Sequence, residues 1–145
     1  MALSDFCKGP VITASPEESV LHASILMRDN KIGSVVITKD ERPIGILTDR
    51  DIVMRLMTDS KEGFNTKIQE VMTKNPYVVP EGIGIWDLIK RMKKYAVRRF
   101  PVVSGEGKIV GMITMDDLIE LMGEELSGLG HTISQEVGHG EMKAA

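Results

Sequence analysis

The stretch Gly45-Ile-Leu-Thr-Asp-Arg-Asp51 occurs a second time as Gly111-Met-Ile-Thr-Met-Asp-Asp117, 66 residues further along the chain. Each copy has a glycine, two apolar residues, a threonine, two variable residues and an aspartate, and an apolar pair follows it. The apolar residues before the threonine predict the end of a buried strand, and those after the aspartate predict the start of a helix. The motif therefore marks a strand-to-helix turn in each half of a chain with an internal repeat.

A threonine three residues before an aspartate at such a turn has two alternative roles. In the first, the threonine is the helix N-cap and the aspartate lies in the first turn, close to a capping box. In the second, the turn binds a ligand, because its backbone N–H groups suit a phosphate and the aspartate can accept hydrogen bonds from ribose hydroxyl groups. The motif by itself favours capping and leaves ligand binding open.

The residues around the first copy predict the order strand, helix, strand, strand, helix. Ser15-Pro-Glu-Glu18 is typical of a helix start, with the serine as N-cap and Glu18 reaching back to it. Gly33 is expected to end that helix. The predicted elements are a strand at 11–13, a helix from 15, strands at 34–38 and 44–47 with a polar turn at 39–43, and a helix from 49 to about 57.

The same order recurs in the second half, after a polar segment at 58–67 that we interpret as a linker. The predicted elements are a strand at 77–79, a helix opened by Pro80 and Glu81, strands at 100–103 and 109–113, and a last helix from about 115 to 122. The fold class is therefore α/β, with two βαββα repeats at 10–57 and 68–122 related by a pseudo-two-fold axis. Pairing two copies buries the sheet face that one copy would leave uncovered. For the tail at 123–145, the sequence does not decide between a flexible segment and an arm for a partner.

The composition is that of an ordinary globular protein, since 42% of the 145 residues are hydrophobic and 27% are charged. No apolar run approaches the ~20 residues of a membrane helix, and no signal segment is evident at the N-terminus. Cys7 is the only cysteine, which excludes an internal disulfide and a thiolate metal cluster. These features lead us to expect a reducing, cytoplasmic setting without a membrane partner.

The charge distribution argues against nucleic-acid binding. The net charge of −3 resides in the tail, so the rest of the chain is neutral, whereas nucleic-acid binders are usually strongly basic. Six bases fall within 90–99, and we interpret the four on the predicted helix as a solvated face. Arg98 and Arg99 differ because they adjoin a buried strand and suit a phosphate. Their alternative role is an ion pair with Asp116 or Asp117.

The repeated motif and its surroundings resemble a known family, the tandem pair of cystathionine β-synthase (CBS) domains called a Bateman module. The resemblance is carried by both motif copies, by the segments 32–37 and 97–103 and by Val71-Met-Thr73, and it covers roughly residues 10–122. It implies a three-stranded sheet with two helices in each repeat and two clefts between the repeats. Such clefts often bind adenine nucleotides or other adenosyl ligands.

The resemblance also implies which residues line each cleft. In the family pattern the last aspartate of the motif holds the ribose, and the threonine and the residue before the aspartate face the phosphate. One cleft would use Thr114, Asp116 and Asp117, with Arg98 and Arg99 toward the phosphate and Ile12 and Ile32 near adenine. The other cleft would use Thr48, Arg50 and Asp51, with Tyr77 and Val97 near adenine.

The sequence departs from the family pattern at positions that face the phosphate. Asp116 is an acid there, and it repels an anion unless it is paired or bridged by a metal. The first repeat has a glycine and a serine where the second has Arg98 and Arg99. Because two arginines outweigh one acid, we expect the Asp117 cleft to be the stronger site and the Arg50 cleft the weaker one.

The resemblance favours a regulatory, energy-sensing module that binds an adenine nucleotide of the AMP, ADP or ATP class. The alternative is a dimerisation scaffold with empty clefts. An enzyme has little support, because no nucleophile–base–acid set, metal-ligand cluster or glycine-rich phosphate loop is evident. Pairs of this family commonly form a flat four-repeat disc, so we expect a homodimer with a two-fold axis. The apolar surface for it would come from Ile52, Met57, Leu118, Leu121 and Met122. The regulated protein, if there is one, is left open.

Overall fold

The structure, a computed structural model, describes the backbone of residues 10–144 and the side chains of residues 10–138. Apart from a 3-10 helix and a short additional strand at the start of the second repeat, its elements follow the order βαββα twice, which confirms the two-repeat α/β fold class. The first repeat contains β1 (Thr13–Ala14), α1 (Val20–Asn30), β2 (Ser34–Lys39), β3 (Arg42–Thr48) and α2 (Asp49–Asp51), which continues as a π-helix (Ile52–Met57). The second repeat contains a 3-10 helix (Ile68–Glu70), β4 (Thr73–Lys74), β5 (Val79–Pro80), α3 (Ile85–Tyr95), β6 (Arg99–Val103), β7 (Ile109–Thr114) and α4 (Met115–Ala144).

The chain divides into two compact units, one ending at Ile113 and the other beginning at Thr114. The first unit holds two sheets, with strand orders β1-β2-β3-β4 and β5-β6-β7. The hairpin between β2 and β3 turns through Asp40 and Glu41, whose φ values of 51° and 63° are those of a type I′ turn. The backbone N–H of Ile109 donates to the carbonyl of Glu41 at 2.8 Å, so the hairpins of the two repeats meet at their turns.

Strand β4 has no counterpart among the predicted elements, and it joins the second repeat to the sheet of the first. It pairs antiparallel with β3 through Gly45 with Lys74 and Ile46 with Thr73. A Cβ atom built on Gly45 would overlap the sulfur of Met72. The glycine of the first motif therefore leaves room for the Met72 side chain to lie against β3, next to the residues that form β4.

The core of the first unit forms around β2, which is buried on both faces. Val35, Val36 and Ile37 are all fully buried, as the continuous β-branched run predicts. Helix α1 contributes Val20, Ala23 and Met27 to this core, and Leu47, Leu56, Ile68 and Val71 complete it. Ile68 and Val71 belong to the segment that leads into the second repeat, so the core extends across the repeat boundary.

Helix α1 begins later than the prediction from Ser15. Its N-cap is Ser19, whose hydroxyl accepts from the N–H of His22 at 3.1 Å. Glu18 does reach back to the N–H of Ser15, at 2.7 Å, but it closes a separate turn. The carbonyls of Pro16 and Glu18 accept from the N–H groups of 69 and 68, and this pairing keeps residues 15–18 out of the helix.

The predicted ends of the helices also need correction. Lys31, with φ of 53°, is the left-handed C-cap of α1, so Gly33 does not end that helix. Ala96 has the same role after α3, and Gly84, not Pro80, precedes the first residue of α3. A left-handed residue with a side chain costs about 1–2 kcal/mol, which the packing of both helices outweighs.

The polar segment 58–67, interpreted from sequence as a linker, is hydrogen-bonded to the start of α1. Its carbonyls at Gly63 and Thr66 each accept from the first turn of α1, from Leu21 and Val20, at 2.9 Å. Those N–H groups have no partner within the helix, so the segment caps α1 from outside.

Helix α4 continues far beyond the predicted end near 122, to Ala144. Glycine costs about 1 kcal/mol in a helix interior, yet Gly123, Gly128, Gly130 and Gly138 are all helical. No helix in the described range combines the length and the apolar character needed to cross a membrane.

We expect Gly45→Ala to lower the free energy of unfolding by about 1–3 kcal/mol, because the added methyl group overlaps Met72. The control is Gly82→Ala, where an added Cβ meets no atom within 4 Å. Chemical denaturation followed by circular dichroism measures both, and Met72→Ala in the Gly45→Ala background should restore part of the loss. Equal destabilisation by the two glycine substitutions would contradict the packing described.

Candidate functional site

A cavity of about 750 Å³ opens in the first unit, between residues of the two repeats. Its volume lies within the range of small-molecule and cofactor sites. The first repeat contributes the end of β3 and the turn after it, and the second contributes β4, the loop after β4, and the start of β6. The lining residues are Ile46, Thr48, Asp49, Arg50, Thr73, Lys74, Asn75, Pro76, Tyr77, Ala96, Val97, Arg98, Arg99 and Pro101.

The pairing of β4 with β3 places one wall of the cavity. After Lys74 the chain turns at Asn75, which has φ of 51° and donates its N–H to the carbonyl of Ile44 at 3.1 Å. Asparagine tolerates this left-handed conformation better than most residues. The turn carries Tyr77 to the cavity that Thr48 also lines.

Thr48 and Asp51 form a full capping box at the start of α2. The Thr48 hydroxyl accepts from the N–H of Asp51 at 3.1 Å, and the Asp51 Oδ2 accepts from the N–H of Thr48 at 3.0 Å. The capping role of the first motif is thus present. The Asp51 Oδ1 lies 3.7 Å from Arg55 Nη2, and a carboxylate oxygen in that setting can still accept from a ligand hydroxyl group.

The cavity lining is strongly basic. Arg50, Lys74, Arg98 and Arg99 face a single acid, Asp49. Within the described residues, Arg50, Lys74 and Arg99 have no ion-pair partner within 4.0 Å. Three cations that no carboxylate neutralises favour an anionic ligand.

Gly33 gives the charged side chains of Asp49 and Arg99 room at the cavity. A Cβ atom built on it would lie 3.1 Å from the Asp49 Oδ2 and 3.7 Å from the Arg99 Nη1. The carbonyl of Gly33 also accepts from the N–H of Asp49 at 3.0 Å. Gly33 corresponds in the repeat to Arg98. Because glycine has no side chain, Gly33 leaves space for the side chains of Asp49 and Arg99.

An aromatic pair stands at the edge of the cavity. The rings of Tyr77 and Tyr95 stack with centroids 4.0 Å apart and an angle of 18° between their planes. The Lys94 Nζ lies 5.2 Å from the Tyr95 centroid, on the same aromatic system. Tyr77 remains 52% exposed, so part of its ring is accessible to a ligand.

The second motif forms an equivalent cap in the second unit. The N–H and the hydroxyl of Thr114 both donate to the Asp117 Oδ2, at 2.8 and 2.6 Å, and the Thr114 hydroxyl accepts from the N–H of Asp117 at 3.1 Å. Asp116 is exposed. Ile12 and Ile32, expected near adenine, are half-buried against the core of the first unit.

The structure groups the predicted site residues differently from the sequence. Arg98 and Arg99, assigned from sequence to the Asp117 cleft, line the cavity that contains Thr48. Four of the five residues assigned to the Arg50 cleft line the cavity, namely Thr48, Arg50, Tyr77 and Val97. Asp51, the fifth, does not line it but is hydrogen-bonded to Thr48, which does.

Sequence reasoning missed Lys74 and Asn75, and it considered Asp49 only as a turn residue facing solvent. The Asn75-Pro76 pair is a turn signal, and read together with the Val71-Met-Thr73 lead-in it could have indicated a chain reversal at this point. Lys74 carried no signal of its own, because only the pairing of β4 with β3 brings it to the cavity.

The fold and the cavity define a two-repeat α/β module with a site suited to a small anionic ligand. A model of the CBS domain matches residues 3–58 and 68–124. The chain therefore belongs to the CBS domain family and contains two CBS domains in tandem.

Relatives of known sequence include both small proteins and large enzymes. An uncharacterised protein of Methanopyrus kandleri is 31% identical over 122 residues, which are 83% of this chain and 62% of that protein. An uncharacterised protein of Methanocaldococcus jannaschii is 29% identical over 154 aligned positions, covering 84% of this chain and 91% of that protein. The inosine-5′-monophosphate dehydrogenase of Aquifex aeolicus is 36% identical over 111 residues, 75% of this chain. The chain matches only 22% of that enzyme and less than two thirds of the Methanopyrus protein.

Solved structures share the fold over most of the chain. The CBS domain pair of protein MJ0100, solved in complex with 5′-methylthioadenosine and S-adenosyl-L-methionine, has a TM-score of 0.76 and 27% identity. The match covers 86% of this chain and 98% of that one. A CBS domain protein of Pyrobaculum aerophilum, solved with AMP, has a TM-score of 0.74 and 20% identity, with coverage of 81% of this chain and 90% of that one.

We expect Thr48→Val to lower the free energy of unfolding by about 1 kcal/mol, because it removes the hydroxyl that accepts from Asp51. Thr48→Ser keeps that acceptor and should lose less than half as much. Thermal denaturation of the two variants measures the difference, and equal losses would show that the capping box does not stabilise the turn.

Proposed function

We propose that the chain is a non-catalytic regulatory module that binds an adenine nucleotide in the cavity beside Thr48. The observation that carries the proposal is the set of four basic side chains converging on a cavity of about 750 Å³ with a capped helix start at its edge. The complex of the MJ0100 domain pair with two adenosyl compounds supports the ligand class. The cytoplasmic location expected from sequence stays a prediction.

The charge of the cavity selects among adenosyl ligands. S-adenosylmethionine carries a sulfonium cation and 5′-methylthioadenosine is neutral, so neither uses Arg50, Lys74 and Arg99 as a phosphate does. A phosphate group accepts paired hydrogen bonds from an arginine fork, and such charge-assisted bonds are about twice as strong as neutral ones. AMP, ADP and ATP are therefore the ligands that the lining fits best.

The rest of the nucleotide has matching partners. The accessible part of Tyr77, held by its stack on Tyr95, offers a surface for the adenine ring, and Val97 adds an apolar contact. The Asp51 Oδ1 is the acceptor we assign to a ribose hydroxyl, since the Oδ2 is used by the cap. This assignment makes the Thr48 cavity the primary site, in place of the Asp117 cleft preferred from sequence, because Arg98 and Arg99 line it.

The proposed phosphate contact is tested by isothermal titration calorimetry with AMP and adenosine on Arg99→Gln. We expect AMP to bind about 10-fold more weakly, which corresponds to about 1.4 kcal/mol, while adenosine binding changes less than about 2-fold. The control is Arg91→Gln, an exposed arginine on α3 outside the cavity lining, which removes the same charge.

Two outcomes would contradict the proposal. If Arg99→Gln and Arg91→Gln weakened AMP binding equally, the loss would come from the change in net charge and not from a contact between Arg99 and the phosphate. Absence of binding by AMP, ADP and ATP to the unaltered chain would leave the scaffold with empty clefts as the better account.

We also propose a homodimer through the helices that follow the motifs, with corrected residues. Leu118 and Leu121, expected at the interface from sequence, are 4% exposed, and Ile52 is half-buried. The exposed apolar residues that directly follow the motifs on these helices are Val53, Met54 and Met57 in the first unit and Ile119 and Met122 in the second. Exposed apolar clusters of this kind mark interaction surfaces.

For Met54→Lys we expect a shift from dimer to the 16.0 kDa monomer at micromolar concentration, because the substitution places a charge in the proposed interface. Multi-angle light scattering measures the mass, and Gln69→Lys, at an exposed position of the 3-10 helix, is the control that should remain dimeric. A monomeric unaltered chain would contradict the homodimer.

A further inference from the structure

Helix α4 presents a continuous row of exposed apolar side chains along one side of the helix. The row is Ile119, Met122, Leu126, Leu129, Ile133 and Val137, and these residues are between 41% and 66% exposed. At 3.6 residues per turn they fall within an arc of about 80° and extend over about 27 Å of helix. We call this set the apolar row.

The apolar row is among the larger apolar patches that a monomer exposes to water. It exposes roughly 500 Å² of apolar surface, near the upper end of the patches seen on monomeric proteins. A contact that covers the apolar rows of two copies would bury roughly 1,000 Å² of apolar surface, close to the lower bound for a specific interface.

A second row, of small residues, lies beside the first on the same face. Gly123, Ser127, Gly130 and Ser134 fall within the next arc of about 60° around the helix. The Ser134 hydroxyl donates to the carbonyl of Gly130 at 3.0 Å, so it folds back on its own helix and needs no outside partner. We call this set the small row, and it forms a shallow groove along α4.

The apolar row and the small row lie side by side on α4. Two copies of this face can therefore place bulky residues against small ones in one relative orientation only. If two copies of α4 lie parallel about a two-fold axis that runs along the helices, the apolar row of each faces the small row of the other. If the copies lie antiparallel, the apolar rows meet each other and the grooves stay unfilled. Close packing requires bulky residues to enter the spaces above small ones, so the parallel arrangement fits.

We propose that α4 pairs with α4 of a second copy of this chain, in parallel, through the apolar row and the small row. The proposal is independent of ligand binding in the Thr48 cavity. It extends the homodimer proposed above: Ile119 and Met122 belong to both surfaces, and the residues of α4 beyond Met122 are added here.

The test is disulfide cross-linking of the full chain in a Cys7→Ser background. Leu126 lies near the middle of the combined face, so in a parallel pair its two copies approach each other across the axis. Leu126→Cys should form the cross-linked dimer in a glutathione redox buffer at least about 10-fold more readily than Glu124→Cys, which points away from this face. Equal cross-linking of the two variants would overturn the proposal.

Two further measurements separate pairing from other causes. Adding Ile133→Lys to Leu126→Cys should reduce cross-linking about 10-fold, because a lysine would enter the groove, whereas adding Gln135→Lys on the opposite face should not. A mixture of Ile119→Cys and Val137→Cys chains that cross-links mainly to each other would show an antiparallel pair and overturn the parallel arrangement. Cross-linking reports on α4 alone, so these results do not depend on whether the nucleotide binds.

Discussion

The antiparallel pairing of β3 with β4 is the contact on which the site depends. It joins Gly45 to Lys74 and Ile46 to Thr73, and it fits because Gly45 leaves room for the Met72 side chain. Without this pairing, Lys74, Asn75 and Tyr77 would have no reason to lie beside Thr48. Gly45 therefore helps to join the two repeats, in addition to its place in the turn motif. The cavity forms because β3 and β4 pair at this point.

The capping box and the proposed ligand site use the same two side chains without conflict. Thr48 and Asp51 satisfy N–H groups that the helix start would otherwise leave unpaired, and this fixes the direction of the turn. One carboxylate oxygen of Asp51 serves the cap, and the other lies 3.7 Å from Arg55 Nη2. A side chain already held by its own backbone loses little freedom when a ligand arrives, so a residue whose first role is structural is well prepared for recognition.

Much of the fold could be predicted from sequence because its signals are local. The repeated motif gave the strand-to-helix turns, and the β-branched run Val35-Val-Ile37 gave the buried strand. The errors arose where a distant segment intervened. Ser15 has the stronger N-cap pattern, yet Ser19 caps α1 because residues 68 and 69 take the carbonyls of Glu18 and Pro16. Arg98 and Arg99 could be identified from sequence as candidate phosphate ligands. Which cleft they line, however, depends on β4, and no local pattern predicts that strand. The length of α4 was missed because glycine is a statistical, not an absolute, helix breaker.

The central claim is that the Thr48 cavity holds the adenosine part of a nucleotide. Nuclear Overhauser contacts in solution between AMP and the full chain test it most directly, because they report on proximity and not on affinity. The account predicts contacts from the adenine H2 and H8 protons to the Tyr77 ring and to the Val97 methyl groups. Contacts confined to residues outside the cavity, or none at saturating AMP, would contradict it.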